Sequence, residues 1–307
     1  MEKKEFAGLE KMCQFRYMEA GCCFHVCSQE NHPVLFHNEE EFKAAMNVVA
    51  FAAFLFPGLK IYTFEVMDNH FHFTMAGERR EIDSFIRTLV IKLSSNPVLS
   101  SSRNDIRALE FKILSIESLD NLRNVISYIN RNGAVVSPDE NVFSYRWGAN
   151  RYFFNREARM RYADNRRKAT CREKREMFRS SQLNNVGNVM VLDGYVSPLC
   201  YCFLNEAESF FRNSRHYFYS VSRNMEASKD IAKNIGEFIF YSDEDLYSHI
   251  RMLWSKRYGC QSVAVLDSKS KIELAKELHF GFNAGNRQIC RLLKMDIGIV
   301  NTLFPGK

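Results

Sequence analysis

Along Ile61 to Met75, IYTFEVMDNHFHFTM, apolar and polar residues alternate with period two on either side of Asp68-Asn69, which predicts two short strands joined there. Successive strand side chains point to opposite faces, so His70, His72 and Thr74 are expected on one face and Phe71, Phe73 and Met75 on the other. Upstream, Phe15 to Ser28 reads as a first strand. Asn38 is placed to cap a helix running through Glu41 to Phe56, which Pro57-Gly58 ends. That helix is apolar on much of its surface, through Phe42, Met46, Val49, Phe51 and Phe54, as expected of a helix packed on a sheet. Downstream, Arg79 to Ser94 reads as a second helix, carrying Ile82, Phe85, Leu89 and Ile91, and Leu109 to Ile116 as a fourth strand. Ser118 to Gly133 reads as a third helix, with Leu119, Leu122, Val125, Ile126 and Ile129 at helical spacing and Gly133 as its stop.

The order strand, helix, strand, strand, helix, strand predicts an α+β chain built on a ferredoxin-like antiparallel sheet with helices on one face. The chain's end is mainly helical, with helices expected over Lys271 to Leu278, Asn286 to Leu293 and Ile297 to Phe304. The last two, turning at Lys294-Met295-Asp296, read as a helix-turn-helix. Ile289, Leu292, Leu293, Ile299, Val300 and Leu303 are its expected buried positions, and Cys290 stands where a small residue lets helices approach. A shift in composition beyond Asn150 divides the expectation into a domain over 1–150, a basic and aromatic accessory region over 151–262, and the helix-turn-helix over 263–307.

Composition narrows the class. At 307 residues and 46% hydrophobic the chain can bury a sizeable core, and a net charge of +6 is a mild bias towards polyanions. The start, MEKKEFAGLEK, is charged, so no secretory leader is expected, and nine cysteines then fit a reduced cytoplasmic protein. Cys22-Cys23 and Cys200-x-Cys202 lack paired zinc spacing and read as small buried residues. The longest apolar run, Val48 to Phe56, is too short for a bilayer, so no membrane partner is expected.

The chemistry collects on the histidine strand and the helix after it. At about 100° per residue Tyr128 lies away from its helix's apolar stripe, and Asn132 falls about 40° from it on the same face. If that face meets the strand, His70, His72, an amide oxygen and a phenol share one site. Each has a plainer structural reading: surface strand histidines, an interface tyrosine, a helix-end asparagine. Glu65 reads as a solvated strand carboxylate, and the register of His25 is not determined by the sequence.

Taken together, these residues resemble the single-tyrosine transposases of the HUH nuclease superfamily, the group containing the REP-associated tyrosine transposases. The resemblance covers the first half of the chain. It rests on His70-Phe71-His72 preceded by Met67-Asp68-Asn69, and on Tyr128-Ile129-Asn130-Arg131-Asn132 near a helix end. Phe24-His25-Val26, Leu35-Phe36 and Tyr145-Arg146-Trp147 add to it. The chain departs from the pattern at Gly133 and Asp68, where proline is usual, and at Gln29-Glu30, where Arg-Gly is usual. The resemblance implies a metal-dependent endonuclease and strand transferase for single-stranded or hairpin DNA. His70, His72 and Asn132 would hold Mg²⁺ or Mn²⁺, and Tyr128 would form a 5′-phosphotyrosine intermediate. It leaves open whether the tyrosine helix serves its own subunit or the partner in a homodimer, and it places the protein at the nucleoid.

The basic run from Arg151 to Arg179 includes Arg156, Arg159, Arg166, Arg167 and Lys168, interleaved with Tyr152, Phe153, Phe154 and Tyr162, a composition suited to a DNA track. A solvated helix face explains the same charges. In the helix-turn-helix, Arg287, Lys294 and Asn301 are the candidate DNA contacts. A domesticated regulator that binds a hairpin or operator without cutting is the alternative; an RNA-binding sheet is disfavoured because the expected strand aromatics are absent.

Overall fold

A computed structural model describes the chain except residues 1, 30–32, 137–143, 166, 182, 184–185, 188, 224–240, 242, 244–245, 248–249, 252–256, 258–262, 283 and 306–307. It divides into two compact units, Met1–Gly133 with Glu140–Glu237, and Ala134–Asp139 with Phe238–Lys307. The boundary expected near residue 150 therefore does not separate two units.

The first unit is α+β. Its leading elements are α1 (Glu2–Ala20), β1 (Cys23–Ser28), α2 (Glu39–Leu55), β2 (Lys60–Val66), β3 (Phe71–Ala76), α3 (Arg79–Ser95), α4 (Arg103–Arg107), β4 (Phe111–Ile116) and α5 (Leu119–Val136). The strands form one sheet in the order β2-β3-β1-β4, with every neighbouring pair antiparallel. α2 starts where Asn38 dictates: its side-chain oxygen accepts from the backbone N–H groups of Glu40 and Glu41, and three glutamates occupy the first turn. At the β2–β3 turn the Asp68 carbonyl accepts from Leu35 and Phe36, at 2.7 and 2.9 Å, and Met67 N–H donates to the His70 carbonyl at 2.8 Å. These bonds tie down the hairpin at Asp68.

Two expectations about element ends are corrected. The first strand does not run from Phe15; α1 occupies that stretch, because Glu, Lys, Ala, Leu, Met and Gln are strong helix formers, and Gly21 at φ +76° turns the chain into β1. Gly133 does not stop α5, which continues to Val136. A single helical glycine costs about 1 kcal/mol against alanine, too little to end a helix.

The sheet is covered on both faces, correcting the expected single face. On one, Phe73 packs against Phe85 of α3 with ring centroids 5.5 Å apart, and Phe71 against Phe36 at 5.6 Å. On the other, His72 and His25 meet Tyr128 of α5, and the Thr63 hydroxyl donates to the Asn130 side-chain oxygen. Glycine at 148 lets the 145–149 segment lie along the β2 edge: a Cβ there would stand 2.6 Å from the Phe64 carbonyl oxygen. Val66 N–H donates to Trp147, Ala149 N–H to Phe64, and the Tyr145 hydroxyl to the Val66 carbonyl, at 2.8, 3.1 and 2.7 Å.

The chain continues in the same unit through α6 (Arg156–Asn165), β5 (Arg167–Lys168), α7 (Cys171–Phe178), β6 (Met190–Leu192), β7 (Tyr195–Val196), α8 (Leu204–Ser209) and α9 (Ser214–Arg223), with β5-β6-β7 a small second sheet. Polar bonds fasten this region to the first. Tyr62 donates to Glu206 at 2.8 Å, Val196 N–H to Asn47 at 2.9 Å, and the Asn130 amide to the Tyr217 hydroxyl at 2.9 Å.

In the second unit, helices Ser268–Lys276, Asn286–Leu293 and Ile297–Leu303 lie close to the expected spans. Leu274, Leu278, Ile289, Leu293, Val300 and Phe304 form its core, and Lys294 takes a left-handed conformation at the turn. Ile299, expected in that core, is 51% exposed, because Val300 beside it holds the inward position of so short a helix. Among the described residues no helix is long and apolar enough to cross a membrane.

Candidate metal centre

The polar face of the sheet is set by register. His72 on β3 lies directly opposite Cys27 of β1 and Glu65 of β2, and Thr74 lies opposite His25. Directly opposed residues share a face, so His25, Cys27, Glu65 and His72 project together. All four are at most 2% exposed. His70 stands just before β3, and the Ser28 hydroxyl accepts from Phe71 N–H at 2.9 Å, anchoring the strand's first residue.

Three imidazoles follow one another. His70 Nε2 lies 3.0 Å from His72 Nε2, and His72 Nδ1 lies 3.4 Å from His25 Nε2. His70 Nδ1 meets the Asn69 side-chain oxygen at 2.6 Å. Burial disfavours the imidazolium, so the pKa of His25 falls to about 4 and that of His70 to about 3. His72 is pushed well below the ordinary histidine value by burial first and then by His70 and His25. Near neutral pH all three rings are uncharged and keep lone pairs, the form in which histidine binds metal. His25, Cys27 and His72 form a cluster that could hold a metal ion, one donor atom from each lying within 4.8 Å of the others. Two imidazoles and a thiol fit a transition ion by donor chemistry.

Tyr128 completes the group. Its ring stands edge-on to His72 at 5.7 Å and to His25 at 6.3 Å, and the residue is 7% exposed. No protein-family profile, curated protein or solved structure matches the chain.

Of the residues singled out by sequence, His70, His72 and Tyr128 come together. Asn132 is half-buried one turn beyond Tyr128, and no hydrogen bond among the described residues joins it to either histidine. Asn130 is the fully buried amide, held between Thr63 and Tyr217. Glu65, expected to be solvated, is fully buried because the 145–149 segment covers its edge. His25 and Cys27 were not anticipated as site residues. Their signal is the period-two pair His25-Val26-Cys27, which joins the site only through the register that sets Cys27 opposite His72.

The candidate DNA contacts separate. Arg156 and Lys168 are exposed, Arg167 lies in β5, and Arg166 lies outside the described residues. Arg159 is half-buried and engaged within the protein's own contacts, donating to the Tyr152 carbonyl, Asn205 and Glu208, so it is not available as a free phosphate contact. In the second unit Arg287 and Lys294 are exposed, and the exposed Asn301 accepts from the Asn286 amide at 2.9 Å.

Proposed function

We propose that the chain is a metal-dependent strand transferase for single-stranded or hairpin DNA, using Tyr128 as nucleophile on a ferredoxin-like sheet. The observation that supports this is the meeting of the Tyr128 ring with His72 and His25 on one polar face. A phosphodiester resists attack because its anionic oxygens repel a nucleophile. A divalent ion held by this face would neutralise that charge. The Tyr128 oxygen bonds to phosphorus as the bond to the 3′ oxygen breaks, and the departing oxygen takes up a proton in place of the one the phenol loses. The phosphotyrosine bond conserves the energy of the bond broken, so rejoining needs no ATP. Exposed Arg156, Lys168, Arg287 and Lys294 are the cations offered to the DNA backbone, and the protein would act in the cytoplasm.

A second reading is favoured by a specific observation: Tyr128 is 7% exposed and His72 fully buried. A regulator that binds DNA without cutting needs no access to either group. Incubating end-labelled single-stranded oligonucleotides from the DNA flanking the gene with Mn²⁺, and reading denaturing gels, decides between them. Strand transfer predicts a covalent protein–DNA adduct that Tyr128→Phe and His72→Ala both abolish. Tight binding with no adduct establishes the regulator.

A further inference from the structure

We infer that the metal ion is held by His25, Cys27 and the Nδ1 of His72, with His70 a positioning residue outside the ligand set, and that it is a thiophilic transition ion such as Zn²⁺. The inference deepens the metal centre described above and does not require that the protein cut DNA.

Hydrogen bonds along the imidazole row set where each ring carries its proton. The Asn69 side-chain oxygen can only accept, so the 2.6 Å bond places the His70 proton on Nδ1 and leaves a lone pair on Nε2. The 3.0 Å bond from that atom to His72 Nε2 then requires the proton of His72 on Nε2. His72 Nδ1 is then the ring atom without the proton, and it faces His25, 3.4 Å from its Nε2. A ligating histidine commonly donates its other ring N–H to a neighbour that fixes its tautomer, the role His70 fills here.

Distance supports the same side. Two nitrogens each about 2.0–2.1 Å from zinc at a tetrahedral angle stand about 3.3–3.4 Å apart. His25 Nε2 and His72 Nδ1 are 3.4 Å apart. Cys27, 1% exposed and paired with His72 across the ladder, supplies the third donor within 4.8 Å. Loading removes the thiol proton of Cys27 and transfers the His25 proton from Nε2 to Nδ1, so one proton leaves per ion. Mg²⁺ demands oxygen ligands and rejects a thiolate, whereas zinc accepts this set and keeps a fourth position open, with Tyr128 flanking both imidazole ligands.

The test uses the full chain, stripped with a chelator and loaded with Co²⁺ as a spectroscopic stand-in for Zn²⁺. The expected wild-type spectrum has intense tetrahedral visible bands and a near-ultraviolet sulfur-to-cobalt transition. Cys27→Ser should lose the near-ultraviolet transition. His25→Ala should weaken Zn²⁺ binding at least tenfold, and His70→Gln should keep the sulfur transition while lowering affinity about 10- to 100-fold. A weak octahedral wild-type spectrum without the sulfur transition overturns the inference, and since it is read on the native sequence no folding defect can obscure it. Binding abolished by His70→Gln but unchanged by Cys27→Ser and His25→Ala overturns it equally, placing the ion between His70 and His72. Tyr128→Phe should leave the spectrum intact, so a wild-type protein that shows the sulfur transition yet forms no DNA adduct refutes strand transfer and leaves the metal site standing.

Discussion

Phe73 shows what one residue of the β3 strand contributes. It is fully buried between Phe64 and Phe85, and truncating it removes the sheet's central apolar contact. Phe73→Ala should cost about 3–5 kcal/mol in denaturant unfolding. Two residues away in kind, Arg159 and Lys168 looked alike in the basic run but have different surroundings. Arg159→Ala leaves the half-buried Glu208 without its cation and should lower stability by about 1 kcal/mol in the same assay. Lys168→Ala should leave stability unchanged and, under the proposed strand transfer, reduce the salt dependence of single-stranded DNA binding, measured as the slope of log affinity against log salt. Charge spacing along a chain cannot distinguish these two, because the partner of Arg159 is 49 residues away.

At the scale of elements, the hairpin and the edge segment decide the site's geometry. Gly148 permits the 145–149 stretch to pair with β2 and bury Glu65 beside His72. Gly148→Ala would place a Cβ against the Phe64 carbonyl, and should both lower the melting temperature and expose the site to solvent, seen as faster amide exchange at Val66 and Ala149. α2 offers a cleaner case: Asn38→Ala removes the cap of its first turn and should cost about 1 kcal/mol with no change at the histidines. Periodicity revealed the strands and helices of this half well, since one apolar face per element is what burial selects. It missed α1, whose Met12, Phe15 and Met18 are exposed, so that no buried apolar stripe marks this helix.

For the molecule as a whole, acid sensitivity follows from imidazoles held neutral. His216 has its pKa lowered to about 4, by burial first and then by Arg212 and Arg123. Unfolded, it titrates near the ordinary value of about 6.5, so below that pH the unfolded chain binds the extra proton and the folded chain does not. Its contribution is complete above about pH 6.5 and is lost as pH falls towards about 4. Urea unfolding between pH 7.5 and 4.5 should show stability declining over that window, with a shallower slope in His216→Gln.

Local sequence determined the alternation that makes β2 and β3, the cap and length of α2, the helix bearing Tyr128 and the helices of the second unit, because these depend on residues a few positions apart. It also brought His70, His72 and Tyr128 forward as one group. Tertiary structure alone decided that the sheet is covered on both faces, that the elements from α6 to α9 belong with it, and that Arg159 is held by Glu208. It likewise decided that His25 and Cys27 join His72. That last contact depends on the register of β1 against β3, and register is a long-range property, set when the chain folds to bring together His25 and His72, 47 positions apart.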